Sequence, residues 1–355
     1  MDASALQLPS AGLIAGALLG YVARRNFFCT LTSLEQYWYG NNSHGVRTWV
    51  LAAVSAAIIT QTFIYLGYAD PSNSFYLSTN FGWLGAIIGG ITFGIGMALI
   101  GTCAFGALIR LGGGSLKSLM AIIVLGLSAI SAQRGLLSLS RTELFDHFKI
   151  DFTFAGNQSI PNIASSLLGK DINLAVTIVL IIVPLIWVFT NVSYRTNTKG
   201  MVTAATIGAV ISLGWVVTSR FAEQSFDIVQ IESASFVSPI GDTILQFAFL
   251  AGIVPDYGVG MIVGTVMGAA LAACMADNVR WEACDDAREL SRHILGAVFM
   301  GFGGVLAIGC TIGQGVSAAS LLTISAPITI CSILIGARLG LAWLIEGSIK
   351  AAFTR

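Results

Sequence analysis

Two glycine-rich stretches that each contain a cysteine are the part of the sequence best suited to chemistry. The first runs over residues 94–106 and contains Cys103, and the second runs over residues 301–313 and contains Cys310. In both, glycines precede the cysteine by nine and by seven residues, and another glycine follows it by three. Two copies with matched offsets predict an internal duplication with the thiols at equivalent points of two related halves. The alternative is a pair of membrane helices that both use small residues for close packing.

Glycines on either side of a cysteine allow the backbone to break inside a membrane. The predicted breaks involve Gly101 and Gly106 around Cys103, and Gly309 and Gly313 around Cys310. A broken helix exposes N-terminal amides that attract an anion, and such backbone is tolerated only inside protein or along a cavity. A thiol in apolar surroundings stays neutral and offers a weak donor with a soft, polarizable sulfur. The pattern predicts a site for a soft anion, because a metal would need thiolates and a fuller ligand set.

The remaining cysteines stand singly along the chain. No C-x-x-C pair is present, so a metal cluster or a dithiol redox motif is poorly supported, and neither a metal nor a cofactor is predicted. Cys274, Cys284 and Cys331 lack the glycine context and are interpreted as small hydrophobic residues. Cys29 becomes a candidate only through the resemblance described below.

Polar residues near the cysteines allow two interpretations. Arg25 precedes Cys29 by one helical turn, so it either draws an anion toward the thiol or anchors the helix at the positive side of the membrane. The same two interpretations, attraction of an anion or anchoring at the membrane surface, apply to Arg110 and Lys117. Gln314, four residues after Cys310 in an apolar stretch, favours a pore or network role because an unsatisfied amide in lipid is costly.

Composition predicts an all-α polytopic membrane protein. Hydrophobic residues make up 55% of the chain, charged residues only 10%, and the mean hydropathy is +0.81. Soluble domains carry about a quarter charged residues. Forty glycines are typical of helices that pack closely in lipid. Because Lys plus Arg equals Asp plus Glu at 18 each, nothing suggests a nucleic-acid partner.

The apolar runs predict a single transmembrane domain of about nine helices with additional re-entrant or broken half-helices. Residues 238–255 are too short to cross a bilayer and are predicted to re-enter, while residues 133–171 are predicted as short surface helices and loops. The arginine and lysine distribution predicts an external N-terminus and an internal C-terminus. The halves are approximately 1–170 and 171–355, and the two glycine–cysteine copies run in opposite directions, as an inverted repeat requires.

Three segments carry a resemblance to a known family: residues 24–29 (RRNFFC), 108–115 (LIRLGGGS) and 309–315 (GCTIGQG), with further similarity at 214–219 and 235–239. They resemble the YeeE/YedE family of bacterial inner-membrane proteins, whose characterised members take up thiosulfate. The resemblance implies an hourglass-like inverted-repeat fold in which Cys29, Cys103 and Cys310 pass the anion along a central path. It also implies a cytoplasmic TusA-like sulfurtransferase as partner. Two departures are Thr102, where the family pattern has glycine, and a glycine triplet that lacks an acidic residue, so the substrate could be another soft sulfur or selenium oxyanion.

Three classes of function therefore compete. The favoured one is uptake of thiosulfate or a related anion by a transporter that is not an enzyme. The second is a membrane persulfide sulfurtransferase or thiol oxidoreductase, which would call for a C-x-x-C pair and activated thiols that the sequence lacks. The third is a passive anion channel or a structural subunit of a larger complex, which does not require two matched cysteines.

Overall fold

The computed structural model describes residues 6–145, 147–225, 229–249, 255–284, 286–348 and 352, and nearly all regular structure there is helical. The α-helices in chain order are α1 (Gln7–Arg25), α2 (Thr30–Trp38), α3 (His44–Tyr65), α4 (Trp83–Ile100), α5 (Ala104–Gly112), α6 (Leu116–Arg134), α7 (Leu136–Leu144), α8 (Ile160–Leu168), α9 (Asn173–Phe189), α10 (Thr198–Gln224), α11 (Ser238–Ala248), α12 (Tyr257–Met275), α13 (Ala287–Leu306) and α14 (Ser325–Glu346). A π-helical segment, Gly313–Ala318, lies between α13 and α14.

Six helical segments of the described chain are long and apolar enough to cross a membrane: α3, the α4–α5 stretch Trp83–Gly112, α6, α10, α12 and α14. These segments and the predominance of helix confirm the prediction of an all-α polytopic membrane protein. Helices α1 and α13, with 19 and 20 residues, and α9, with 17, lie where further crossings were predicted. They fall outside the six, so the count of nine stays a prediction.

The shorter elements follow the sequence patterns closely. Helix α11 has 11 residues, which is too few to cross a bilayer, and residues 250–254 of the predicted re-entrant segment lie outside the described residues. The region 133–171 forms short helices and loops as predicted, with strand β2 (Ile150–Asp151) paired antiparallel to β1 (Asn80–Phe81). After the turn in the glycine triplet, the Ser115 hydroxyl accepts a hydrogen bond from the Ser118 amide at 3.4 Å and begins α6.

Small residues let α1 and α12 pack backbone against backbone. A Cβ atom on Gly16 would lie 2.2 Å from the carbonyl oxygen of Met261, and one on Gly264 would lie 2.1 Å from that of Leu13. A larger side chain at either position would force the helices apart. This contact is the close approach that glycine permits between membrane helices.

Helices α4 and α13, which precede the two cysteines of interest, cross in opposite directions. The early residue Gly89 of α4 lies against Gly303 near the end of α13, whereas the later residue Gly96 lies against Gly296 nearer its start. The packing pairs are also matched: α1 packs on α12 as α10 packs on α3, and α4 packs on α14 as α13 packs on α6. Exchanging α1 with α10, α3 with α12, α4 with α13 and α6 with α14 therefore leaves these contacts in place.

Candidate functional site

The three candidate cysteines follow the same local backbone design. In each case a helix ends, and the residue two positions before the cysteine is left-handed: Phe27 (φ +54°), Gly101 (φ +78°) and Ile308 (φ +54°). A new helix begins directly after Cys29, after Cys103 and after Cys310. Each cysteine thus occupies the N-cap position of a helix, which directs free backbone N–H groups toward its side chain.

Cys103 and Cys310 make the same capping contact. The Gly106 amide donates to the Cys103 sulfur at 3.4 Å, and the Gly313 amide donates to the Cys310 sulfur at 3.4 Å. Both cysteines are fully buried. Since each sulfur accepts a hydrogen bond from an amide, its S–H remains able to donate to a ligand.

Cys29 completes the group but is held differently. It is half-buried, and its sulfur lies 3.9 Å from the hydroxyl of Thr102, the residue just before Cys103. Cys103 lies within electrostatic reach of both Cys29 and Cys310, and the Thr311 hydroxyl lies beside its thiol. The structure therefore brings the three candidate cysteines together, with a threonine hydroxyl beside each neighbouring pair.

The other cysteines lie apart from this group. Cys274 and Cys331 are exposed, and Cys284 is half-buried. In the part of the chain that the structure describes, no group of three His, Cys, Asp or Glu side chains could hold a metal ion.

The four glycines singled out in the sequence divide into two kinds. Gly101 and Gly309 have φ angles of +78° and +152°, so they allow backbone that other residues rarely adopt. Gly106 and Gly313 donate to the sulfurs and leave room for a hydroxyl. A Cβ on Gly106 would lie 2.2 Å from the Thr102 hydroxyl, and a Cβ on Gly313 would lie 2.8 Å from the Tyr76 hydroxyl.

Gln314 holds the second break together. Its Nε2 donates to the carbonyl oxygens of Ala307 and Ile308 at 2.8 and 3.1 Å, where α13 has already ended. The side chain is 1% exposed. The amide therefore satisfies two carbonyls that the broken helix leaves unpaired, while the pore or network role expected of Gln314 stays a prediction.

Tyr76 is a site residue that the sequence did not indicate. It lies in the connection between α3 and α4, far along the chain from Cys310, and its side chain is 2% exposed. Its hydroxyl lies within electrostatic reach of the Cys310 thiol. No spacing rule links a loop tyrosine to a cysteine more than two hundred residues away, so only the tertiary structure reveals the contact.

A basic cavity of about 420 Å³ reaches the first break at Ile100 and Thr102. Five cationic side chains and two carboxylates line it, together with His293: Arg24, Arg110, Lys117, Arg280, Arg292, Glu282 and Glu289. Lys117 and Glu289 form an ion pair at 3.0 Å. The excess of cations makes this cavity attractive to anions.

The two arginines named in the sequence take different positions. Arg110 lines the basic cavity, and its guanidinium donates to the Gly101 carbonyl at 2.8 Å, so it supports the first break directly. Arg25 points to the Tyr21 hydroxyl at 2.7 Å and does not line that cavity. Its neighbour Arg24 does, and a Cβ on Gly113 would lie 2.6 Å from the Arg24 guanidinium.

A second cavity of about 380 Å³ reaches the second break at Val305 and Ile308. It lies at the opposite end of α6 from the basic cavity, since Gln133 and Arg134 line this one and Lys117 and Ser118 the other. Its charged lining consists of Arg134, Arg141, Glu232, Asp242 and Asp256. Arg134 and Asp242 form an ion pair at 3.7 Å.

Glu232 and Asp256 meet where α12 begins, outside the six membrane-crossing segments. The Gly258 amide donates to Glu232 at 3.0 Å, and the Val259 amide donates to Asp256 at 2.8 Å. Burial raises the pKa of both carboxyls above the ordinary range, and the charge of Asp256 raises that of Glu232 further. The second cavity therefore holds carboxyl groups that bind protons more readily than exposed ones.

The chain is similar to known proteins over most of its length. Residues 25–339 match the family model described as Sulphur transport. A protein of Escherichia coli (strain K12) named "Thiosulfate transporter TsuA" is 29% identical over 325 residues, which cover 88% of each chain. A protein of the same name from Spirochaeta thermophila is 24% identical over 324 residues, covering 88% of this chain and 92% of that one. The family match covers most of the chain, so the chain belongs to the Sulphur transport family, and the YeeE/YedE resemblance is confirmed.

Proposed function

We propose that this member of the Sulphur transport family takes up thiosulfate, or a related soft sulfur oxyanion, across the bacterial cell inner membrane. The anion would pass the thiols of Cys29, Cys103 and Cys310. The observation that carries the proposal is that two buried, amide-capped thiols lie at two helix breaks, each reached from a different cavity. The thiosulfate transporters named among the relatives support the same substrate class.

The site suits a soft anion for physical reasons. Moving a dianion into protein is costly unless donors replace its water, and a thiolate on the path would repel it. Neutral thiols avoid that repulsion and offer weak S–H donors to the terminal sulfur, while amides at the breaks add positive field. The cations around the basic cavity favour the anion on one side of the breaks. Nothing in this arrangement needs a persulfide intermediate, so transport is favoured over a thiol enzyme.

We further propose an external N-terminus, an internal C-terminus and two halves related by an inverted repeat. The matched packing pairs and the opposed directions of α4 and α13 support the duplication. The positive-inside rule favours placing the basic cavity on the cytoplasmic side. Reporter fusions to the two ends of the chain should report opposite sides of the membrane, and a shared side would contradict this arrangement.

The experiment that tests the function is uptake of labelled thiosulfate by a strain that depends on thiosulfate as its sulfur source. We expect saturable uptake that requires this protein, with sulfate a poor competitor because it lacks the soft sulfur. Unsaturable flux would favour the channel alternative. Consumption of thiosulfate without accumulation of label would favour the enzyme alternative. Repeating the assay in vesicles, with and without a TusA-like sulfurtransferase inside, tests whether that proposed partner is needed.

A further inference from the structure

Three buried polar atoms around Cys310 have no hydrogen-bond partner among the residues that the structure describes. They are the Gln314 Oε1, the Tyr76 hydroxyl, which has the Ser235 hydroxyl beside it but not in good hydrogen-bond geometry, and the Thr311 hydroxyl, which stands in the same way beside the Cys103 thiol. Their side chains are at most 2% exposed. An unsatisfied buried polar atom destabilises a fold, so a native site with several of them is organised for something other than stability.

The Tyr76 hydroxyl is directed at the open side of Gly313. It lies 2.8 Å from where a Cβ on Gly313 would be, and the Ser235 hydroxyl lies 3.1 Å from the same point. The Gly313 amide is the group that donates to the Cys310 sulfur. Two hydroxyls and one thiol therefore surround a single glycine that leaves room between them.

The Tyr76 ring is held rigidly by aromatic neighbours. It forms a T-shaped pair with Trp215 at 6.2 Å between ring centroids, and the Phe75 ring packs against it at 4.1 Å. Trp215 is itself fixed by a 3.1 Å hydrogen bond from its indole to the Ser320 hydroxyl. The phenol is thus pre-organised, and it loses little freedom when it binds a ligand.

A small cavity of about 10 Å³, lined by Tyr76 and Gln314, lies next to this hydroxyl. Phe75 and Ile308 line both this cavity and the larger second cavity. The small cavity therefore adjoins the second cavity, and Ser235, which lines the second cavity, lies with the Tyr76 hydroxyl beside Gly313.

The ability to donate a hydrogen bond decides which of these three groups would contact an anion. Gln314 presents an acceptor, because both hydrogens of its Nε2 already bond to carbonyls. An acceptor repels an oxyanion, so Gln314 supports the backbone instead. A phenol is a strong donor to a charged oxygen, whereas a thiol is a weak one.

We propose that Tyr76, assisted by Ser235, recognises the oxygen end of the sulfur oxyanion while Cys310 contacts its soft sulfur. This inference rests on the proposed function and deepens it, because it divides recognition of one anion between hard and soft donors. The hydroxyl would select for oxyanions over soft anions that carry no oxygen, such as hydrosulfide.

The test compares Tyr76→Phe with Tyr257→Phe. Tyr257 is a matched control because it is 1% exposed and its hydroxyl also lacks a partner in the described residues, but it does not line the small cavity. We expect Tyr76→Phe to raise the KM for thiosulfate uptake about tenfold, the worth of one charge-assisted hydrogen bond, with little change in maximal rate. The thermal stabilisation of the purified protein by thiosulfate should fall in parallel. Tyr257→Phe should behave like the unmodified protein in both assays.

The two proposals fail in different ways. An unmodified protein that neither takes up thiosulfate nor is stabilised by it overturns the proposed function and this inference together. Unmodified uptake with an unchanged KM and unchanged stabilisation in Tyr76→Phe overturns this inference alone. Removing an orphan hydroxyl should not lower the melting temperature without ligand. If Tyr76→Phe nevertheless fails to fold, Ser235→Ala decides, with a several-fold rise in KM expected and an unchanged KM contradicting the inference.

Discussion

The break before Cys103 and the break before Cys310 hold a cysteine thiol in the same way but differ in backbone conformation. In both, the amide three residues after the cysteine donates to sulfur at 3.4 Å. The first break uses one left-handed glycine, Gly101, and continues into a regular α-helix. The second uses two consecutive residues of positive φ, Ile308 and Gly309, and continues into a π-helical segment.

The two breaks also differ in how well the polar groups around them are hydrogen-bonded. Near the first, the Thr102 hydroxyl contacts the Cys29 sulfur, and Arg110 satisfies the carbonyl of Gly101. Near the second, the Gln314 Oε1 and the Tyr76 hydroxyl make no hydrogen bond of good geometry in the described part of the chain, although the Ser235 hydroxyl lies beside Tyr76. Strained backbone, π-helix and orphan polar atoms concentrate at functional sites. Under the proposed function, we therefore assign recognition of the ligand to the second break and its onward passage to the first.

The largest expected effect comes from removing either thiol. Cys103→Ala and Cys310→Ala should each lower thiosulfate uptake about 10- to 100-fold, because the passing anion loses both the S–H donor and the polarizable sulfur contact at that break. Cys310→Ser keeps a donor without the softness of sulfur and should retain more uptake than Cys310→Ala. Initial rates of labelled uptake, corrected for expression, measure both effects.

The exposed cysteines supply the control for that series. Cys274→Ala and Cys331→Ala should leave uptake near normal, since both side chains are exposed and neither lines a cavity that reaches a break. Full uptake in Cys310→Ala would contradict the thiol path. A steep rise of uptake as pH passes about 8.5, the ordinary thiol pKa, would instead indicate that a thiolate carries the sulfur.

The two breaks also show how far sequence reasoning reaches. The glycines next to each cysteine indicated where the helices break, because Gly101 and Gly309 adopt positive φ angles that other residues rarely take. The same reasoning missed that Phe27 and Ile308 adopt positive φ, which only the surrounding packing can enforce. Tyr76 could not be predicted, since its role depends on a loop folding back onto a distant helix. The π-helical segment has no sequence pattern of its own.

Effects of intermediate size on uptake and stability should distinguish Gly309→Ala from Gly101→Ala. Gly309→Ala should lower uptake at least about tenfold and reduce thermal stability, because φ of +152° is nearly exclusive to glycine and a Cβ would lie 3.1 Å from Gln314 Cγ. Gly101→Ala should cost only about 1–2 kcal/mol of stability and a few-fold in uptake, since its φ is tolerated at modest cost and its Cβ would meet open space. Uptake and melting temperature of both variants measure the difference.

A third glycine, Gly156, serves as a control for the stability lost when alanine replaces glycine at positive φ. Gly156 has the same φ of +78° as Gly101 and equally open space around it, but it lines neither of the two cavities that reach the breaks. Gly156→Ala should therefore match Gly101→Ala in stability and leave uptake unchanged. If Gly309→Ala proves as mild as Gly101→Ala, the two breaks do not differ in the way proposed.

The cavities beside the breaks differ in how they hold carboxylates. Glu289 in the basic cavity is paired with Lys117 at 3.0 Å. Glu232 in the second cavity is 6% exposed and faces Asp256 and Asp242, while Arg134, which also lines the cavity, pairs with Asp242. Burial and then the charge of Asp256 hold the pKa of Glu232 well above 4.5. Because the folded state binds this proton more tightly than the unfolded state, the contribution of Glu232 to stability is greatest below about pH 4.5 and is lost as pH rises through the raised pKa.

The smallest effect expected is therefore a change in how stability depends on pH. Glu232→Gln keeps an acceptor for the Gly258 amide and cannot ionise, so it should match the unmodified protein near pH 4 and melt a few degrees higher near pH 8. Asp242 and Asp256 still titrate, so part of the slope should remain. Glu223→Gln, at an exposed carboxylate near Arg220, should leave the curve unchanged and serves as control. Thermal melting of purified protein from pH 4 to 9 measures the difference. A Glu232→Gln variant that is less stable at pH 8 would mean that the ionised carboxylate stabilises the second cavity, and that the two cavities hold their carboxylates alike.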